Sequence, residues 1–329
     1  MYDVFGLGNA LVDTEVNIQD SFLQEQSIAK GHMTLIESDR REELESALAG
    51  HEHTRCSGGS AANTTFAIQG FGLKTAYTCK VAEDPVGTFF MDELQAAGID
   101  VNTSAMATEG QSGQCFIMIT PDAERTMCTD LAISSQLGRE DVSEQALINA
   151  RQFYVEGYLS SSEPSTQAAI HCREQAEQNG VGVAVSLSDP SMVEFFRSSL
   201  ELMLGNGVTQ VFCNEEEALA WAKTDRLDIA INELKDIAPE VYVTLGAQGS
   251  IAVTSTSQRT EEGFRVKAID TTGAGDIYAG AVLAARLKGA EPGDAAKFAN
   301  YCAAQIVSRY GARFKTIEEY AAMENRFPG

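Results

Sequence analysis

The chain of 329 residues is predicted to be an α/β protein, with a central mostly parallel sheet, helices on both faces and a small β-rich lid. Three observations lead there. Strand-like and helix-like patterns alternate along most of the chain, as in a parallel sheet covered on both sides. Glycine turns join strand ends to helix starts. Two polar, strand-like segments, 13–54 and 109–131, break the alternation and flank the first α/β units. They are expected to be two pieces of one lid over the C-terminal edge of the sheet, where open α/β folds bind ligands. The large domain then comprises 1–12, 55–108 and 132–329.

Taken in order, "YDVFGLGNAL" is a buried strand ending in a glycine turn and "DRREELESALAG" an amphipathic helix. "CSGGSAANTTFAIQGFG" is a glycine loop followed by a helix, "KTAYTCKVAED" a strand, and "DPVGTFFMDELQAAGI" a helix. "GQCFIMITPDAERTMCTDLA" reads as two strands around a turn at Pro121 to Glu124. Strands then alternate with helices through "RQFYVEGYL", "STQAAIHCREQAEQNG", "VGVAVSLS", "VTQVFCN", "EEEALAWAK", "VYVTLG" and "SIAVTS". "FRVKAID" alternates and predicts a strand entering the last glycine loop.

Bulk composition excludes several classes. Hydrophobic residues make up 44%, enough for a full core, and 24 Lys+Arg against 47 Asp+Glu give a net charge of −23. That field argues against nucleic acid or an anionic membrane as partner. The seven scattered cysteines form no C-x-x-C pair, so neither a zinc site nor a disulfide framework is indicated, and a reducing cytoplasm is the expected setting. No signal peptide or membrane span is expected.

The stretch "AIDTTGAGDIYAGAVLAARLKG" carries the chemistry. From Ile277 the residues are helix-forming and apolar at Ala281, Val282 and Ala285, with Lys288 and Gly289 as the stop. Gly273, Ala274 and Gly275 thus lie before a helix N-terminus, whose unpaired N–H groups and partial positive charge suit a phosphate or a developing oxyanion. From these residues alone, Asp276 reads equally as a helix-start acid. There is no Walker loop, and "GLGNAL" has Leu11 where a dinucleotide fingerprint needs its third glycine.

"DTTGAGDIYAGAVL", "GGSAAN" (Gly58 to Asn63) and "NEEE" (Asn214 to Glu217) occur in this order. Together they resemble the motifs of the ribokinase-like carbohydrate and nucleoside kinase family, also called the PfkB family. The resemblance spans nearly the whole chain and implies a ribokinase-like three-layer α/β/α fold. It further implies ATP as co-substrate, an anion hole at Gly273, Ala274, Gly275 and Asp276, and Asp276 as the base that takes the acceptor's proton. Asn214 and Glu217 also fit a capping box. By resemblance they organise Mg²⁺ and its waters, and a rigid cap is a good platform for that task. Gly58 and Gly59 let the acceptor approach the backbone, while Asn63 and Asp13 bind its hydroxyls. Ser60 stands where ribokinases have lysine. Thr244, Gly246 and Gly249 would line the ATP site, with Asn300 beside the base. Arg125, by base rates a lid-turn cation, would close over the phosphates. Asp270 and Thr272 resemble a site for a monovalent cation, K⁺, although "GARFKT" departs from the usual pattern there.

Within the family, "GNALVD" (Asn9, Leu11, Asp13), "SGQCFIMIT" (Cys115), "TDLAISS" (Leu131) and "EGYLSSSEPS" (Tyr158, Leu159) resemble the adenosine kinase branch. Apolar residues at these points would wall a nucleobase. The expected activity is transfer of the γ-phosphate of ATP to a nucleoside, adenosine first, by a monomer or homodimer. The alternatives are a sugar kinase and a catalytically silent nucleotide-binding protein. The retained Asp276 and glycines speak against the last.

Overall fold

The computed structural model describes residues 1–31, 33–101, 106–122 and 124–328. Its large sheet has nine strands. From one edge they run Gln258–Glu262, Gly249–Thr254, Glu240–Thr244, Gln210–Asn214, Gly182–Ser186, Ala150–Glu156, Tyr2–Leu7, Thr75–Thr78 and Asp100–Val101. The last seven are mutually parallel, and the first two join as an antiparallel meander. The "VTLGAQGS" hairpin is the first turn of that meander.

Side chains alternate between the two faces of this sheet with a period of two, so each strand feeds two cores. Val4, Tyr154, Ala184, Phe212 and Tyr242 enter one core, packed by helices Ser60–Gly70, Ala274–Leu287 and Pro292–Val307. Phe5, Phe153, Val185, Val211 and Val243 enter the other, against helices Glu163–Gln178, Arg197–Leu204 and Leu227–Lys235. These are the three layers. Helix Ala274–Leu287 is buried from Ile277 to Ala284, which is why its sequence is rich in alanine and free of charge there.

A second sheet of five strands has the order Met33–Leu35, Arg125–Asp130, Gly113–Ile119, Leu11–Asn17 and His53–Gly58. One face packs Phe116, Met118 and Cys128 on Leu23, Leu44 and Leu48 of its own short helices. The other presents Cys115, Ile117 and Ile119 with Met127. Its strands start at Leu11 and end at Gly58, so the ends of this sheet reach past the expected 13–54 bounds into both glycine turns. Ala123, inside the expected turn at Pro121 to Glu124, lies outside the described residues.

"FRVKAID" is not a strand. The sheet ends with Gln258–Glu262, and Gly263 turns back through its N–H to the Gln248 carbonyl. Arg265 to Ile269 are exposed, so the alternation has no face to bury. Among the described residues no helix is long and apolar enough to cross a membrane.

Candidate active site

A cavity of about 510 Å³ lies between the C-terminal edge of the large sheet and the lid. Asp13, Asn63, Thr272, Gly273, Gly275 and Asp276 all line it, although they lie far apart in the chain.

The last glycine loop forms one wall. Gly273 starts the Ala274–Leu287 helix with φ 75°, and a Cβ there would run into the Ala312 carbonyl, so this position requires glycine. At Gly275 a Cβ would meet nothing within 4 Å. The Ala274 N–H returns to the Thr271 carbonyl and that of Ile277 to Gly273. The amides of Gly275 and Asp276 therefore have no backbone partner among the described residues, as at any helix start. The Asp276 carboxylate accepts from Ser60 Oγ (2.6 Å) and Asn63 Nδ2 (2.9 Å). Burial pushes its pKa up, and these two donors pull it down.

The opposite wall is the acceptor turn. Asp13 is buried on its lid strand, and a Cβ on Gly58 would collide with its carboxylate. Gly59 has φ 97°, and its Cβ would stand 2.5 Å from the Asn9 carbonyl oxygen. Burial pushes the Asp13 carboxyl up to about 7, opposed by Arg313. Asn63 Oδ1 is buried with no partner.

Glu156 was missed in the sequence. At the end of strand Ala150–Glu156, it accepts from the N–H of Asn9 (2.8 Å) and of Ala61 (2.6 Å), stapling both N-terminal glycine turns to the sheet. Gly8 makes room for it, since a Cβ there would lie 2.9 Å from the Glu156 carboxyl carbon. Burial raises its pKa to about 7. The available signal was one acid closing the apolar run "FYV".

The lid wall is apolar: Leu11, Cys115 and Leu131, with Met33, Ile117 and Met127 beside them. Tyr158 lines the cavity from the large domain. Its neighbour Leu159 does not, being fully buried in the core beneath, because the short turn after Glu156 points the two side chains apart.

On the far side, Asn214 caps helix Glu215–Ala222 in a reciprocal box. Its side chain accepts from the Glu217 N–H (2.8 Å) and donates to Glu217 Oε1 (2.7 Å), and its own N–H donates to Oε2 (3.1 Å). Burial pushes Glu217 up to about 7. Thr244 and Gly246 line the cavity here, as does Asp189. Gly249 and Asn300 do not line it. Gly249 takes φ 106° against the Glu261 carbonyl, and Asn300 donates to the carbonyls of Glu261 (2.9 Å) and Glu262 (3.4 Å). Both hold the meander that flanks the site.

Arg125 crosses from the lid to the entry of the glycine loop. Its guanidinium pairs with Glu15 (2.8 Å) and Asp270 (2.9 Å) and donates to Thr272 Oγ1 (3.2 Å). The Asp270 carboxylate also accepts from the N–H groups of Thr272 (3.0 Å) and Gly311 (2.7 Å). No group of three or more His, Cys, Asp or Glu suited to a metal occurs among the described residues.

A buried carboxylate at an open helix start, facing a second glycine turn across a cavity, suits a phosphotransferase that acts on an alcohol. The family profile of pfkB family carbohydrate kinases matches residues 26–319, and the chain belongs to that family. It is an ATP-dependent kinase with a ribokinase-like fold. It is 33% identical to the adenosine kinase of Sinorhizobium meliloti, with a TM-score of 0.90 over 99% of both chains. A probable sugar kinase of Rhizobium etli shares 31%, with a TM-score of 0.89 over 98% of both. The ATP-dependent ribose-1-phosphate kinase of Halopiger xanaduensis shares 28%, over 87% of this chain and 93% of its own.

Proposed function

We propose that the protein phosphorylates the 5′-hydroxyl of a purine nucleoside, adenosine first, with MgATP as donor. The observation that carries this is the apolar inner face of the lid, directly over the diol-binding pair Asp13 and Asn63. A free sugar has no apolar surface to place against Leu11, Ile117, Met127 and Leu131, whereas a purine does.

In this scheme Asp13 and Asn63 hold the ribose hydroxyls and Asp276 faces O5′. As the O5′–P bond forms and the bond from phosphorus to the leaving ADP oxygen breaks, Asp276 takes the O5′ proton. The amides of Gly275 and Asp276 stabilise charge on the transferring group. Asn214 and Glu217 orient the waters of Mg²⁺. Arg125, not K⁺, supplies the positive charge beside Asp270, since that carboxylate already has three donors.

The test is ATP consumption against a panel of nucleosides and free sugars under one set of conditions. Adenosine is expected to show kcat/KM at least roughly 10²-fold above ribose or fructose, the scale set by burying a whole base. A free sugar as the better acceptor replaces this reading with the sugar-kinase one.

A further inference from the structure

Arg313 lies in "GARFKT" but has no role in the reading of the sequence above, and its side chain is not among those that line the cavity. It follows Ala312, whose carbonyl backs Gly273, and Gly311, whose N–H bonds Asp270. From there the chain turns away from the glycine loop, and the guanidinium runs beneath the acceptor turn. Nη2 donates to Glu93 Oε2 (2.7 Å), and the same oxygen accepts from the Ser57 N–H (2.6 Å). The guanidinium carbon stands 4.3 Å over the Phe66 ring. The side chain is 8% exposed, and Nη1 is buried with no hydrogen-bond partner.

An arginine with a spare buried N–H is costly unless a nearby negative charge compensates it. Glu93 accounts for one arm and is itself engaged by Ser57. Asp13 pairs across its strand with Cys56, the residue before Ser57, and touches Gly58, the residue after it. Asp13 is thus packed against this turn, and Arg313 holds the turn through Glu93.

We infer that Arg313 is the positioning residue of the acceptor site: it keeps Asp13 a carboxylate and fixes the Ser57–Gly59 turn against it. The charges around Asp13 agree. Burial works against its ionised form. Arg313 opposes burial most strongly, with Arg125, two strands away in the lid sheet, acting in the same sense. Glu15 on its own strand and Asp276 from the facing helix act against ionisation. The flanking thiols, Cys56 and Cys115, are held neutral by burial. A carboxylate balanced in this way accepts two hydroxyl hydrogens only while ionised. Loss of Arg313 therefore moves its titration upward, and acceptor binding at neutral pH weakens.

The inference rests on Asp13 being the acceptor's ligand, so the experiment separates the two. KM for the best acceptor of the wild-type enzyme, KM for ATP and kcat are measured from pH 6 to 9.5 for wild type, Arg313→Gln, Arg313→Lys, Glu93→Gln and Asp13→Ala. Asp13→Ala is expected to raise acceptor KM at every pH, and if it does not, the acceptor assignment itself is wrong. Arg313→Gln is expected to raise acceptor KM roughly fivefold or more at pH 7, as follows when one lost charge moves a group that titrates at about 7 upward by about one unit or more. The loss is recovered toward pH 9, while KM for ATP barely moves. Arg313→Lys keeps the charge and is expected to restore most of the wild-type profile. Glu93→Gln tests the turn alone and is expected to give a loss that does not recover with pH. A pH-independent loss in Arg313→Gln, or no loss, overturns the inference and leaves Arg313 a packing residue. If Arg313→Gln does not fold, the Arg313→Lys profile decides: a wild-type titration supports the inference and an upward-shifted one overturns it.

Discussion

Three of the helices that start at the cleft start differently. Ser60–Gly70 and Ala274–Leu287 each begin on a glycine with positive φ, and neither has a side-chain cap. Glu215–Ala222 begins on Asn214 and is closed by Glu217 from both sides. The capped end has already committed the amide and the carboxylate of Glu217 to Asn214, so what it offers a ligand is a rigid acidic edge. The uncapped ends leave amides for other partners: Glu156 takes the Ala61 N–H at the first, whereas at the second the amides of Gly275 and Asp276 have no backbone partner among the described residues. These two also differ from one another. At the acceptor turn the protein itself dictates glycine, through the Asp13 carboxylate at Gly58 and the Asn9 carbonyl at Gly59. At the catalytic loop it dictates Gly273 through Ala312, but nothing in the protein crowds Gly275. A small residue that no protein atom requires implies that something else comes close to it.

Three substitutions test this contrast. Asp276→Asn is expected to have the largest effect, lowering kcat roughly 10²–10⁴-fold or more with little change in melting temperature or ATP affinity. Retention of half the wild-type kcat would remove Asp276 from the role of base. Gly275→Ala places its methyl in empty space, so the melting temperature should hold, while kcat falls by about 10²–10³-fold if the transferring group occupies that space. An undisturbed kcat shows that the space is not used and erases the difference between the two glycine turns. Asn214→Ala should have the mildest effect. Loss of the cap is expected to cost about 0.5–2 kcal/mol of stability, seen as a lower melting temperature, with a raised KM for MgATP. A drop in melting temperature with an unchanged KM would make the box purely structural.

What could be read in the sequence follows the same physics. Asp276, Asn63 and Asp13 converge on one cavity as expected, because each lies in or beside a glycine turn that the local sequence marks. Glu156 and Arg313 belong to no local pattern. The partners of Glu156 lie 147 and 95 residues away, and the Glu93 contact of Arg313 spans 220. An acid after "FYV" or a base in "GARFKT" looks like solvent-facing charge until the fold brings its partner. Leu159 failed for a smaller reason. An apolar residue next to a cleft residue points the other way whenever the backbone turns between them, and residue type alone does not show the turn. "FRVKAID" failed because alternation marks a strand only where one face is buried, and Arg265 to Ile269 are exposed.

Ser60 and Asn63 reach Asp276 across 216 and 213 residues. The ribosome makes the chain from the other end, at about 5–20 residues per second. Ser60 and Asn63 are therefore made about 10–40 s before Asp276. Over the same interval Tyr2–Leu7, which ends up inside the large sheet, must wait for Ala150–Glu156 to be made before its second edge is paired. In the proposed scheme the base is therefore the last main part of the site to be made.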